Sequence, residues 1–342
     1  MNIGAIVTVA GQLKTEAANE GMSSPHHALT KPLGGSPFAC HEILGQTLLQ
    51  RTLLNLRSFG IQQQSVLFEE SGAETFLPSR IAPAGGFFSA WENAIDQQLR
   101  QGADLLLLIR LGAYLEIDFS HLLRFHRETS SALTQVYDHK SAFEVAVVSA
   151  NQLESQNGAG SYRGRLSALI PYHRRYIFRG YSNRLREPQD LRRLVQDALL
   201  RRNSIRPIGD QVSPDVWLGK GAEADPAACI SAPAYIGDHT RIKSGCTING
   251  VTAIERECVV DFGTTVTDSC VLQETYLGMG LNVSNSIAAP GKLFNLARNI
   301  EVDISDRHLI GKPLTARSFL GFRKPATRDN FFERNERQTY SL

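Results

Sequence analysis

Apolar residues recur at every sixth position through the second half of this chain. Eleven consecutive residues at one phase are apolar, namely Val212, Leu218, Ala224, Ile230, Ile236, Ile242, Ile248, Ile254, Val260, Val266 and Leu272. A second column, four residues after nine of these anchors, is small throughout: Ala222, Ala228, Ala234, Thr240, Cys246, Thr252, Cys258, Thr264 and Cys270. Helices repeat about every 3.6 residues and strands every two, so neither gives a strict period of six. The pattern predicts a triangular β-solenoid with six residues on each flat side.

Three sides make one solenoid turn of about 18 residues, which stacks the anchors of successive turns into aliphatic columns. The spacing predicts that Ile236, Ile254 and Leu272 share one column. The phase breaks at Gly278, and the apolar residues that follow it predict further, irregular turns as far as Ile287.

The cysteines fit this repeat as small corner residues. Cys246, Cys258 and Cys270 are spaced 12 apart, so the register assigns them to three different sides. They cannot converge on one ion without distortion, and we expect no zinc site. The chain has five cysteines among 342 residues, and the odd count indicates reduced thiols rather than a disulfide framework.

Composition excludes several classes of partner. Lys and Arg number 36 against 34 Asp and Glu, so the net charge is +2 and nucleic acid is not an expected partner. The longest aliphatic run, Leu105–Ile109, is far shorter than the roughly 20 residues of a membrane span. Residues 1–13 lack a basic segment and are interpreted as a first strand instead of a signal peptide. We expect a cytoplasmic protein without a membrane partner.

The first 205 residues alternate between strand and helix patterns, which predicts a doubly wound α/β domain. A left-handed β-helix is assigned to 206–312, and 313–342 is treated as a C-terminal extension. The predicted helices cover 47–59, 90–100, 118–127 and 188–201. The predicted strands cover 3–9, 65–68, 104–110, 133–137 and 144–149.

Four segments in this order resemble the sugar-1-phosphate nucleotidyltransferases that carry a C-terminal hexapeptide-repeat left-handed β-helix. They are IGAIVTVAG at the opening strand, EILGQTLLQRTLLNLRSFGI (42–61), ADLLLLIRLGAYLEIDFSHLLRFHRE (103–128) and GYSNRLREPQDLRRL (180–194). With the repeat, the resemblance covers about 300 residues. It implies a nucleotidyltransferase-like α/β domain and the reaction of a nucleoside triphosphate with a sugar 1-phosphate, which yields a nucleoside-diphosphate sugar and pyrophosphate.

The sequence departs from this family where the chemistry takes place. The family's Gly-rich loop, which follows the first strand, is reduced to Gly11 without an arginine. One metal carboxylate of the family falls on Gly112-Ala113, and the second falls on Arg184. Mg²⁺ bridging a phosphate needs such carboxylates. We therefore predict degenerate catalytic motifs, no catalytic residue, no metal ligand, and no cofactor except Mg²⁺ should the chain be active.

The resemblance nevertheless suggests contacts to a nucleotide or a phosphate. The candidates are Gly11, Lys31, Gly85, Gly86, Gly112 and Arg184. Lys31 competes with an alternative alignment at Ser36-Pro37, and the pair Gly85-Gly86 also fits a plain entry into a helix. His26, His27 and His41 lie in the long segment after the first strand and are weaker candidates, while Asp118 is interpreted as a helix cap.

An arginine-rich segment, 155–186, holds seven arginines and no acidic residue. It is read either as an anion-binding patch that faces the cleft or as dispersed charge on edge strands. The arginines are Arg163, Arg165, Arg174, Arg175, Arg179, Arg184 and Arg186.

The sequence also fits two other functions, acyl transfer and a regulatory or scaffold role. Many hexapeptide β-helices are acyltransferases that use a histidine as general base, and His239 and His308 are the histidines in or near the repeat. Some relatives with the two-domain plan are regulatory or scaffold subunits, which the missing carboxylates favour. The flat outer faces of the β-helix predict a homo-oligomer through the C-terminal domain.

Overall fold

The computed structural model describes residues 2–9, 38–69, 86–154 and 160–314. These ranges form an N-terminal α/β region (2–205) and a C-terminal strand-rich region (206–314). The helices are α1 (Leu48–Ser58), α2 (Gly86–Arg100), α3 (Phe119–Glu128), α4 (Ala150–Glu154), α5 (Tyr162–Leu169) and α6 (Pro188–Leu199). In the described part of the chain, none of them is long and apolar enough to cross a membrane.

The N-terminal region is built on a mixed sheet. Its strands are β1 (Ile3–Val9), β2 (Gln63–Phe68), β3 (Leu105–Leu111), β5 (Leu133–Tyr137), β6 (Ala142–Ser149) and β7 (Arg174–Ile177), and a separate pair joins β4 (Tyr114–Leu115) to β8 (Ser182–Asn183). The strand order is β2-β1-β3-β6-β5-β7. Strand β1 runs parallel to β2 and β3, β6 runs antiparallel to β3 and β5, and β7 runs parallel to β5.

Side-chain alternation along β1 explains why helices cover both faces of this sheet. Ala5 and Val7 belong to a core formed with α1, α3 and α6, while Ile6 belongs to a second core formed with α2, α4 and α5. The predicted alternation of strands and helices is confirmed, and each predicted helix end lies within a few residues of the observed one. The short helices α4 and α5 were not anticipated, because neither carries an extended apolar period.

The strands of the C-terminal region are short, and those from β10 to β22 stack in parallel. In chain order they are β9 (Asp210–Ser213), β10 (Val216–Leu218), β11 (Glu223–Ala224), β12 (Cys229–Ile230), β13 (Ala234–Ile236), β14 (Arg241–Ile242), β15 (Thr247–Asn249), β16 (Thr252–Ile254), β17 (Val259–Val260), β18 (Thr265–Thr267), β19 (Cys270–Val271), β20 (Tyr276–Leu277), β21 (Asn282–Ser284), β22 (Ser286–Ala289), β23 (Lys292–Asn295), β24 (Ile300–Asp303) and β25 (Ile310–Gly311). They form three sheets, of which the largest has the order β24-β23-β22-β19-β16-β13-β10-β9. This arrangement is compatible with the predicted β-helix.

Pairing between successive strands creates three apolar columns. The first contains Leu218, Ile236, Ile254, Val271 and Ala288; the second contains Ala224, Ile242, Val260 and Leu277; the third contains Ile230, Ile248, Val266 and Val283. Among the parallel strands from β10 to β18, two residues that pair across neighbouring strands are 18 positions apart in the chain, as the six-residue period predicts. The small inner side chains and the aliphatic anchors form one continuous core.

Two details of the predicted columns are wrong. Thr247 pairs with Thr265, but Ala253 pairs with Cys270, so one residue is missing from the turn between β18 and β19 and the phase breaks there rather than at Gly278. Val271 therefore occupies the place predicted for Leu272, whose side chain packs against the N-terminal region instead.

The predicted anchor Val212 is also misplaced. It lies in β9, which pairs antiparallel with β10, and its side chain is 56% exposed. Antiparallel strands likewise close the other end, where β23 and β24 follow β22. The six-residue period of the sequence therefore extends further toward the N-terminus than the stack of parallel strands does.

A single apolar core joins the two regions. Tyr235, Leu272 and Ile287 of the C-terminal region pack in the same cluster as α1 and α6. Beside them the buried carboxylate of Glu255 accepts backbone hydrogen bonds from Leu44 at 2.8 Å and Gly45 at 3.0 Å. This contact fixes the position of the N-terminal region on the largest sheet of the C-terminal region.

Candidate functional site

A cavity of about 400 Å³ opens at the carboxyl end of β3. Ligands of open α/β sheets bind beyond the carboxyl ends of parallel strands, and the size is within the usual range for small-molecule sites. Strands β3 and β6, the start of α3 and the segment after β8 form its walls. The lining includes Gly112, Ala113, Phe143, Glu144, Arg184 and Arg186.

The floor of the cavity is formed by the two residues at which the sequence resemblance predicts a lost metal carboxylate. Gly112 and Ala113 follow β3 directly, and a Cβ added to Gly112 would meet only Glu144 Oε2 at 3.6 Å. Among the described lining residues Glu144 is the one carboxylate.

Glu144 is committed to an ion-pair network. Arg110 Nη1 donates to Glu144 Oε2 at 2.7 Å, and Arg110 also holds Glu69 through Nε at 2.5 Å and Nη2 at 2.8 Å. The hydrogen bond to Glu69 is the main cause that raises the pKa of Arg110, with Glu144 adding to it against the effect of burial. Glu144, the one carboxylate of the described lining, is thus already paired with a guanidinium, and this lining does not fit a Mg²⁺ site, which takes free carboxylate oxygens.

Arg184 lies in the cavity wall, as its predicted role requires, but most of its donors are used within the protein. Nη2 and Nε donate to Asp138 Oδ2 at 2.7 and 3.3 Å, and the remaining bonds reach the carbonyl oxygens of Ser141 and Ala142. Its guanidinium carbon also lies 4.2 Å from the centre of the Phe143 ring. Although burial raises the pKa of Asp138, hydrogen bonds from Arg184 and from backbone N–H groups lower it to about 2. Arg184 therefore clamps the turn between β5 and β6.

Arg186 is the third arginine that lines the cavity, after Arg110 and Arg184. Its backbone N–H donates to Asp190 Oδ2 at 2.9 Å, but its buried Nε has no hydrogen-bond partner among the described residues. No ion pair joins its guanidinium to the described part of the chain. The sequence analysis included Arg186 in the arginine-rich segment but did not separate it from Arg184. Which of the two arginines is unpaired depends on which one forms the ion pair with Asp138.

Three of the other predicted phosphate contacts, Gly11, Lys31 and Gly85, lie outside the described residues, as do His26 and His27. Gly86 begins α2 with a φ of +80°, a left-handed conformation that glycine adopts readily. It is absent from the lining of the cavity.

The remaining histidines and the predicted cap have clear places. Asp118 accepts a hydrogen bond from the backbone of His121 at 3.1 Å and caps α3, as expected. His41 is buried between the two regions, where its Nδ1 lies 3.4 Å from Gln273 Nε2. His239 and His308, the candidates for acyl transfer, are both exposed.

The arginine-rich segment does not form one patch. Arg184 and Arg186 line the cavity, whereas Arg175 and Arg179 line a separate groove beside β7. Arg163 lies over the Phe88 ring at 4.6 Å. The segment is therefore divided, with two arginines at the cavity, two at the groove beside β7 and Arg163 on α5.

The three evenly spaced cysteines lie at three different sheets. Cys270 is in β19, Cys246 directly precedes β15, and Cys258 directly precedes β17. Burial is the main cause that raises the pKa of each thiol. Within the ranges that the structure describes, no three metal-ligating side chains form a group.

No protein-family model matches this sequence, and no curated protein matches it.

Proposed function

We propose that this chain is a non-catalytic, nucleotidyltransferase-like protein of nucleotide-sugar metabolism that binds a nucleotide or a sugar phosphate without metal. The proposal includes a nucleotidyltransferase-like fold for the N-terminal region and a left-handed β-helix for the C-terminal region. The observation that carries it is the cavity at the end of β3, which combines Arg186, whose side chain has no hydrogen-bond partner among the described residues, with a carboxylate that is already paired with an arginine.

The electrostatics of this cavity favour an anion over a cation. Arg110 is paired with both Glu69 and Glu144, and Arg184 is paired with Asp138, whereas no described carboxylate pairs with the guanidinium of Arg186. A guanidinium with free donors fits two phosphate oxygens at once, and a partly buried site screens the attraction less than water does. Phosphate binding that depends on Arg186 is therefore expected in the absence of Mg²⁺.

Calorimetry with nucleoside triphosphates, sugar 1-phosphates and nucleoside-diphosphate sugars, each with EDTA and with Mg²⁺, tests this function. We expect binding that EDTA leaves unchanged and that Arg186→Gln weakens about tenfold, the value of one charge-assisted hydrogen bond. Arg193→Gln is the matched control, because Arg193 is an exposed arginine on α6 outside the cavity. Gly112→Val, which fills the floor, should also weaken binding.

The opposite outcomes are equally clear. Binding that requires Mg²⁺, or pyrophosphate release at about 1 s⁻¹ or faster, would show an active nucleotidyltransferase and refute the non-catalytic proposal. Equal losses in Arg186→Gln and Arg193→Gln would indicate a general charge effect instead of a site. Transfer from acetyl-coenzyme A that depends on His239 or His308 would favour the acyltransferase alternative.

We further propose a homo-oligomer assembled through the C-terminal region. Support comes from β24, an outer strand of the largest sheet on which Ile300 is 49% exposed and Val302 is 44% exposed. A charge on an edge strand opposes pairing with another chain. Light scattering should therefore show a smaller mass for Val302→Lys than for the control Leu54→Lys, which alters an equally exposed position on α1. A monomeric wild type would contradict the proposal.

A further inference from the structure

A second groove lies at the opposite edge of the N-terminal sheet from β2. We call it the edge groove; it has a volume of about 570 Å³ and is lined by Tyr137, Asp138, His139, Lys140, Arg175, Ile177 and Arg179. Strands β5 and β7 are parallel neighbours, so their carboxyl ends, Tyr137 and Ile177, meet at the same place. The groove therefore has the position relative to its strands at which open α/β sheets bind ligands.

The charge of the edge groove is unbalanced. Lys140, Arg175 and Arg179 are exposed, and none of them forms an ion pair with a described residue. Asp138 does not compensate, because its Oδ1 accepts the backbone N–H groups of Lys140 and Ser141, each at 2.7 Å, and its Oδ2 accepts Arg184. The groove thus presents three cations around a carboxylate that is already neutralised.

Aromatic contacts hold one of these cations in place. The Arg175 guanidinium carbon lies 5.0 Å from the centre of the Tyr137 ring. Tyr137 is itself fixed by His173, whose Nε2 lies 2.9 Å from the phenol oxygen and whose ring stacks on it at 5.7 Å. A cation that is positioned before a ligand arrives loses less conformational freedom on binding.

From this geometry we infer that the edge groove is a second anion site, which binds a small molecule with a diphosphate or triphosphate chain. Three cations along one groove match several adjacent phosphate groups, and the arginine forks match phosphate oxygens. The turn 138–141 separates this site from the cavity and contributes to the walls of both. The inference does not depend on the proposed function, since no residue of the argument is a ligand-binding residue of the cavity.

Calorimetry of the full chain with inorganic tripolyphosphate in EDTA tests the inference. We expect saturable binding that Arg175→Gln and Lys140→Gln each weaken about tenfold. Arg174→Gln is the matched control, because Arg174 precedes Arg175 in β7, is equally exposed and points to the opposite face of the strand. Arg186→Gln should leave unchanged the binding that Arg175→Gln weakens and should affect only binding at the cavity, which separates the two sites.

Absence of saturable tripolyphosphate binding would overturn the inference. Equal losses in Arg174→Gln and Arg175→Gln would overturn it too, because they would show diffuse attraction to a charged surface. A single-stranded oligonucleotide that binds more tightly than tripolyphosphate would refute the small-molecule assignment. Thermal unfolding of each variant checks that these exposed substitutions leave the fold intact.

Discussion

Glu255 is a carboxylate with nearly no access to water, placed where the two regions of the molecule meet. Burial is the largest influence on it and, together with the charge of Glu42, raises its pKa. Hydrogen bonds from the backbone of Gly45 and Leu44, and the charge of Arg51, act in the opposite direction, and the net result is a pKa of about 7. The charged form is tolerated because two N–H groups point at it, and the neutral form is favoured because water is absent.

This pKa predicts a specific dependence of stability on pH. The folded protein holds the Glu255 proton more tightly than the unfolded chain, so the stabilisation is complete below about pH 4.5 and is lost as the pH rises through about 7. The cost of Glu255→Gln, measured by urea unfolding, should therefore shrink between about pH 5 and pH 8 by at most about 3 kcal/mol. A cost that grows over this range would contradict the prediction.

Comparing the wild type with Glu255→Gln also removes the contribution of His126 to the pH dependence of stability. Burial lowers the pKa of His126 to about 4, and its contribution to stability is lost as the pH falls from about 6.5 to 4. This sign is opposite to that of Glu255. Because both proteins retain His126, its contribution cancels in the difference.

Two residues at the same phase of the repeat provide a matched pair of substitutions. Ile248 is fully buried in the third column, whereas Val212 is 56% exposed. Ile248→Asp places an unpaired charge in an apolar core and should cost more than about 4 kcal/mol, while Val212→Asp should cost less than about 0.5 kcal/mol. Denaturant unfolding measures both free-energy changes. Similar values would mean that the side chain of Val212 in β9 is buried in the core, as that of Ile248 is.

At the scale of elements, the short turn between β18 and β19 is the docking point of α6. Arg192 is buried, and its Nε donates to the carbonyl oxygen of Asp268 at 2.9 Å. Asp268 itself adopts a φ of +47°, and its Oδ1 accepts the backbone N–H of Val251 in the turn below. This turn thus presents both a carbonyl oxygen and a carboxylate of Asp268 to Arg192 of the helix.

Neighbouring arginines on α6 test this docking. Arg192→Ala removes a hydrogen bond to a buried guanidinium and its packed methylene groups, and it should cost about 2–3 kcal/mol. Arg193→Ala, at the next and exposed position, should remain within about 0.5 kcal/mol of wild type. Urea midpoints of the two variants are compared, and equal values would show that α6 does not depend on the turn.

At the scale of the whole molecule, the shared core makes the two regions one cooperative unit. Tyr235, Leu272 and Ile287 are each buried against the N-terminal region, and separating the regions would expose them to water. Burial of apolar surface is the main source of stability, so neither region can lose the other without a large penalty.

The two tryptophans of the chain report on this cooperativity. Trp91 lies in α2 and Trp217 lies in β10, one in each region. Variants with Trp91→Phe or Trp217→Phe each leave a single fluorescent probe, and we expect their urea transitions to coincide after correction for any change in stability. Separate transitions, with one region unfolding well before the other, would contradict a common core.

The amino-acid sequence by itself determined the stacking period and the alternation of strands and helices. Both patterns depend on local spacing: an aliphatic side chain every six residues meets the same surroundings in every turn, and apolar helix faces repeat within one helix. Ile236 and Ile254 could therefore be assigned to one column from their spacing. Gly112 and Arg184 were assigned to one cleft by the resemblance of their segments to the nucleotidyltransferases, since spacing alone does not relate two residues so far apart in the chain.

Only the tertiary structure decided which residues face the other region and which cation is free. Leu272 follows the six-residue period in the sequence. Because the turn before it is one residue shorter, Val271 takes the position in the column, and no local sequence pattern indicates the shorter turn. Arg184 and Arg186 are two residues apart, and the choice between them depends on Asp138, which lies 46 residues from Arg184 in the chain. A contact over that distance is set by the packing of the sheet, because the spacing of charges in the sequence carries no information about it.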